Sequence, residues 1–117
     1  MYKIKYFPDE DHAPMKEFLS DLVKSGQKQK YFSILRYVEK LKEFGFEINE
    51  KFKSGALRKL EEDLWELKPS NIRVFVTYIK ESHEFYLLHA FKKEKNTTPS
   101  EEKKRARNEI RKLKKNI

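Results

Sequence analysis

A chain of 117 residues with a formal net charge of +8 and no cysteine has room for one hydrophobic core, and it can form neither a disulfide nor a thiolate metal site. No apolar segment reaches the roughly 20 residues that cross a bilayer. The amino terminus MYKIKYFPDED lacks the apolar stretch of a signal peptide, so the sequence reads as one cytoplasmic domain over 1–117.

Residues 2–7, YKIKYF, alternate loosely between polar and apolar and predict a short strand that Pro8 ends. Pro14 opens a helix in which Met15, Phe18, Leu19, Leu22 and Val23 recur at i, i+3, i+4, i+7 and i+8, and Gly26 stops it. Tyr31, Ile34, Leu35, Val38 and Leu41 write a second helix that closes at Gly45, and the short connection makes the two an antiparallel hairpin. Their apolar stripes read as core rather than as cofactor contacts.

Past a polar stretch with Ser54 and Gly55 the pattern turns to strands: a short one at 57–60, a firmer one at 64–68, and a β-branched, aromatic pair at 72–80 and 84–92 joined by 81–83. Both members of that pair carry apolar residues at odd and even positions, which predicts a sheet covered on much of both faces. Thr98, Pro99 and Glu101 supply the cap, first-turn proline and capping-box glutamate of a last helix. Ala106, Ile110, Leu113 and Ile117 draw one narrow stripe on it, enough to dock along an edge while its cations face outward. The class is α+β, with a small, mainly antiparallel sheet.

Residues 92–117 hold eleven Lys and Arg against four Glu, so +7 of the net charge lies at this end. Such a field attracts polyanions, nucleic acid first, although a solvated helix that keeps the protein soluble has the same composition. His12, His83 and His89 show no metal-ligand spacing. The three glycines sit where turns explain them, so no phosphate-cradling loop is present, and no nucleophile motif supports a Ser-His-Asp site. No metal and no cofactor are expected. Cations, aromatics and a histidine remain.

If 81–83 is a three-residue loop, Arg73 lies opposite Phe91 with His89 and Lys93 as diagonal neighbours on the same face; a two- or four-residue loop changes the parity and sets Arg73 opposite Lys92. Either way Arg73 meets a lysine. Facing cations destabilise strands unless an anion belongs between them, and two explanations stay open: Glu66 pairs with Arg73 while the lysines splay into water, or the cluster is a phosphate site. Such a site suits RNA cleavage by the 2′-hydroxyl, which needs a base, charge stabilisation of the phosphorane and an acid, none of them a metal. Arginine's fork fits two phosphate oxygens, and a lysine crowded by cations can act as the base. Lys92, Lys93 and Arg73 are the candidates; His89, a lone histidine in an apolar strand, reads either as a second acid or base or as a hydrogen-bonded core residue.

The order strand, helical hairpin, strands and terminal helix, with LRKLEEDLWELKPSNIRVFVTY and YLLHAFKKEKNTTP, resembles the RelE/HigB-type toxins of bacterial toxin–antitoxin systems, in their phage-derived HigB-like branch. The resemblance is good over 57–107 and in outline before it. It implies a RelE/ParE-like fold and a ribosome-dependent mRNA interferase, a metal-independent endoribonuclease of the bacterial cytoplasm that inhibits translation. It implies as partners the ribosome, mRNA and a cognate antitoxin, HigA-like and of the helix-turn-helix kind. Arg73 matches the arginine that holds the scissile phosphate, Lys92 and Lys93 the cationic end of the last strand, and Arg58, Glu66 and Lys95 positions of binding or structural support. Lys68 stands where an arginine is common, and no stacking tyrosine follows the lysines. Two alternatives belong to other classes: a toxin of this fold that poisons a protein such as gyrase, and a non-catalytic RNA-binding module.

Overall fold

In the computed structural model, which describes residues 1–94 and 99–117, the chain runs β1 (Lys3–Tyr6), α1 (Pro14–Lys24), α2 (Lys28–Phe44), a 3-10 turn (Gly45–Glu47), α3 (Ile48–Lys51), β2 (Leu57–Glu61), β3 (Leu64–Leu67), β4 (Ile72–Ile79), β5 (Glu84–Lys92) and α4 (Ser100–Lys115). One five-stranded sheet in the order β1-β5-β4-β3-β2 is antiparallel except for the parallel outer pair β1 and β5. The α+β class and the mainly antiparallel sheet are as the sequence predicts. Among the described residues no helix is long and apolar enough to cross a membrane.

The sheet is covered on both faces. On one, the helical hairpin buries Met15, Leu19 and Leu22 of α1 and Ile34, Tyr37 and Leu41 of α2 against Leu67, Val74, Val76, Phe85 and Leu87. Fully burying each such Leu or Ile contributes about 2 kcal/mol. Val23, expected on this face, is instead 38% exposed. Ile48 of α3, a short element the sequence reading passed over, fills the end of the same core. At Gly45, φ +57, a Cβ would run into the Tyr2 ring, so a close approach between the residue before β1 and the end of α2 demands glycine there.

On the other face α4 buries Ala106, Ile110 and Leu113 against Leu64, Phe75, Leu88 and Phe91. The expected edge docking is therefore corrected: α4 lies across a face, because β4 and β5 present apolar side chains on both sides and this stripe is what covers the second. Ile117 lies beyond the contact, 66% exposed. Pro99 occupies the cap position rather than the first turn, with Glu101 and Glu102 in the first turn near the positive end of the helix dipole. The predicted cap Thr98 lies outside the described residues.

The β4–β5 hairpin turns through the four residues 80–83, since Ile79 pairs with Glu84. A regular ladder from that turn would not set Arg73 opposite Phe91. The ladder shifts by one between Phe75, opposite His89, and Val76, opposite Leu87, which leaves Leu88 as the extra residue of a β-bulge. Leu88 and His89 both turn toward α4. Beyond the bulge Arg73 pairs with Phe91, the partner a three-residue loop would have given.

Candidate functional site

Alternation along β5 separates the two lysines at its end. Phe91 faces α4, Lys92 faces the helical hairpin, and Lys93 returns to the α4 side. Lys92 Nζ donates to Gln27 Oε1 at 2.9 Å, in the connection between α1 and α2. The convergence of Lys92, Lys93 and Arg73 is thus corrected: one sheet face holds Arg73 and Lys93, and Lys92 is on the other.

The strands bring Arg58, Glu66, Arg73 and Lys93 together. Arg58 on β2 pairs with Glu66 on β3, which pairs in turn with Phe75 on β4, one diagonal from Arg73. Arg58 Nη2 lies 2.6 Å from Glu66 Oε2, and Arg73 Nε lies 3.7 Å from Glu66 Oε1, an ion-pair distance rather than a hydrogen bond. The Glu66 side chain is 0% exposed and that of Arg73 14%. A buried carboxylate therefore underlies a partly exposed pair of guanidinium groups.

The turn between β3 and β4, Pro69-Ser70-Asn71, fixes the two central cations. Arg73 Nη1 donates to the carbonyls of Ser70 at 3.1 Å and Ile72 at 2.8 Å, and the Lys93 backbone N–H donates to the Asn71 carbonyl at 2.7 Å. Ser70 has φ +58, a left-handed conformation that costs a non-glycine residue on the order of 1 kcal/mol. The strained turn holds the Arg73 guanidinium and the root of Lys93 in one arrangement. Burial pushes the Lys93 ammonium below its ordinary value of 10.5; Glu66 opposes the shift, while Arg73, Arg58 and Lys68 add to it. The crowding expected from the sequence is present with a different membership: Lys68 belongs to it and Lys92 does not.

His89 is withdrawn from any ligand. It is 1% exposed, with Nδ1 2.6 Å from Glu109 Oε1 and Nε2 3.1 Å from Glu102 Oε1, both carboxylates from α4. Of its two readings from the sequence, the hydrogen-bonded core residue is the one observed. Lys95 lies outside the described residues. Sequence reasoning missed the part of Asn71 and Ser70, whose only signal was the KPSN turn just before Arg73, and it noted Lys68 without giving it a place in the cluster.

This arrangement can grip a phosphate, stabilise charge developing on its oxygens, and offer an amine whose proton is more easily lost than that of an ordinary lysine. The family model described as phage-derived protein Gp49-like matches residues 8–111. No curated protein matches the chain. Among solved structures it is similar to a chain of the crystal structure of an archaeal RelE-RelB complex from Pyrococcus horikoshii OT3, with 21% identity and a TM-score of 0.59 over 80% of this chain and 97% of that one. At that identity the likeness establishes the fold, which is RelE-like.

Proposed function

The chain belongs to the phage-derived Gp49-like proteins, a family of RelE-like toxins, and from that premise we propose that it is a ribosome-dependent mRNA interferase neutralised by a cognate antitoxin. The observation that carries this reading is the cluster itself: Arg58 and Arg73 at 2.6 and 3.7 Å from a buried Glu66, with the backbone of Lys93 fixed beside them through the Asn71 carbonyl.

In this reading Arg73 holds the scissile phosphate, with its guanidinium preorganised by the Ser70 and Ile72 carbonyls. Lys93, in its neutral fraction, takes the proton of the 2′-hydroxyl. The 2′-oxygen bonds to phosphorus, the bond to the 5′-oxygen breaks, and a 2′,3′-cyclic phosphate and a 5′-hydroxyl result. Arg58 and Lys68 offset charge on the phosphorane. Arginine does not release a proton near neutral pH and His89 is buried elsewhere, so the leaving oxygen takes its proton from water or from the ribosomal complex. Dependence on the ribosome follows, because an incomplete catalytic set gains most from a partner that splays the messenger into in-line geometry. The steps as written need no metal. The antitoxin, HigA-like with a helix-turn-helix, covers the cations with a helix or an acidic segment in the bacterial cytoplasm.

Primer extension on messenger from cells briefly expressing the chain, with translation running and then blocked, tests the reading. Cuts that need translation, are absent in Arg73→Ala, and recur when the purified chain is added to ribosomes programmed with messenger are the expected result. Growth arrest without cuts, persisting in Arg73→Ala, would overturn the interferase and point to a protein target.

A further inference from the structure

On the far side of the turn that holds Arg73, α2 and the segment after α3 enclose an open groove of about 590 Å³, lined by Gln29, Phe32, Arg36, Phe52, Lys53 and Ser70 among others. Its wall is aromatic and cationic. Phe32 is 61% exposed, an unusual position for a phenylalanine, and the Tyr31 ring meets it at 5.3 Å. The Arg36 guanidinium lies over the Phe52 ring at 5.2 Å from its centroid, so one face of that planar cation is already stacked. Two other cavities of the molecule carry carboxylates on their walls, Glu81 and Glu84 in one, Glu101 and Glu109 in the other. Among the described residues, none lining this groove is acidic. The first turn of α2, which contributes Gln29, holds no carboxylate of its own.

Ser70 belongs both to the groove and to the Arg73 anchor, since its carbonyl accepts from Arg73 Nη1. We propose that the groove is a second binding site for single-stranded RNA, taking nucleotides that flank the one held at Arg73: a base stacks on Phe32, and Arg36 and Lys53 take the adjoining phosphates. The chemistry fits that occupant, because every base has a π-face and every linkage a negative charge, while an aromatic–cationic wall without acids is what both require. The strand passes over the exposed turn at Ser70 from one sheet face to the other. This rests on the interferase reading for the first site, and the test separates the two.

Fluorescence anisotropy of the purified chain is measured with two labelled oligoribonucleotides of mixed sequence, one of about twelve nucleotides that reaches both sites and one of about three that fills only the first. Wild type binds the longer probe more tightly. Phe32→Ala and Arg36→Glu each weaken the longer probe by roughly tenfold and leave the shorter one unchanged, and Phe32→Trp restores the affinity of the longer probe. Arg73→Ala weakens both. Equal binding of the two probes by wild type, Phe32→Ala and Arg36→Glu overturns the second site while leaving the first intact. Loss of an oligomer in sedimentation of Phe32→Ala, at unchanged RNA affinity, gives the groove to a second copy of the chain and likewise overturns it. Phe32 and Arg36 are exposed, so folding is not at stake in these variants.

Discussion

Replacing Glu66 by Gln keeps its shape and removes the charge that faces Arg58 and Arg73 and helps to keep the proton on Lys93. Glu66 is buried but Arg58 is half-exposed and Arg73 keeps its two backbone acceptors, so urea unfolding of Glu66→Gln is expected to show a loss of about 1 to 2 kcal/mol. Activity reports the second effect. Because the Lys93 value in the folded chain lies below 10.5, cleavage is expected to rise with pH as the neutral amine fills, below the range of an ordinary lysine. Without the Glu66 charge the shift deepens, so the rising limb moves to lower pH, and in Lys93→Arg the limb disappears. The linkage has the same sign: a group whose folded value is depressed binds fewer protons in the fold than in the unfolded chain, so stability rises with pH through that window toward 10.5. Arg73→Ala is expected to slow cleavage by about 100- to 1,000-fold, the usual cost of one preorganised donor, and Lys92→Ala by far less, read as single-turnover rates on programmed ribosomes. That Arg73 meets a lysine was legible in the hairpin pattern. Which lysine was not, because the answer depends on one extra residue in β5 that no composition signal marks.

At the scale of the element, α4 poses the question of what holds a helix with eight Lys and Arg against the sheet. Its ion pairs to the end of β2 and the turn after it, Arg107 to Glu61 at 3.0 Å and Lys114 to Asp63 at 2.6 Å, are half-exposed. Pairs of that kind are worth less than about 1 kcal/mol each and weaken with salt. The grip is beneath: Ala106, Ile110 and Leu113 in the core, and His89 between Glu102 and Glu109. His89→Ala takes from the buried Glu109 its 2.6 Å partner, leaves it the longer Arg105 contact and opens a cavity, so it is expected to cost about 3 kcal/mol in denaturant unfolding. Glu61→Gln with Asp63→Asn is expected to cost under about 2 kcal/mol for the two pairs together, an effect that high salt removes. The stripe on α4 was legible at i, i+4 spacing. Its place across a face followed from the two-sided apolar pattern of β4 and β5, and the edge reading failed because it did not carry that pattern through to the helix that must satisfy it. The histidine's partners were beyond reach, since Glu102 and Glu109 are ordinary glutamates of a charged helix until the sheet is set beneath them.

For the molecule as a whole, charge at the scale of +8 sets how binding responds to salt. If Arg36, Lys53, Arg58, Arg73 and Lys93 each neutralise one phosphate, log affinity for the longer RNA is expected to fall against log salt with a slope of about −3.5, and titrations between roughly 50 and 200 mM salt measure it. Both helices of the hairpin could be read from periodicity, and β4 and β5 from unbroken β-branched and aromatic runs bounded by turn residues; α3, four residues long, gave no period to read. The bulge at Leu88 has a consequence for how the chain tolerates change. Since Leu88 and His89 face the same way, deleting Leu88 would join two stretches of ladder that are already in step. His89, Phe91 and Lys93 would keep their sides, Arg73 its partner, and the loss would fall on the core under α4, about 2 kcal/mol for one buried leucine. Central strands seldom survive losing a residue; this one is a regular hairpin into which a leucine has been slipped, and it can be taken out again.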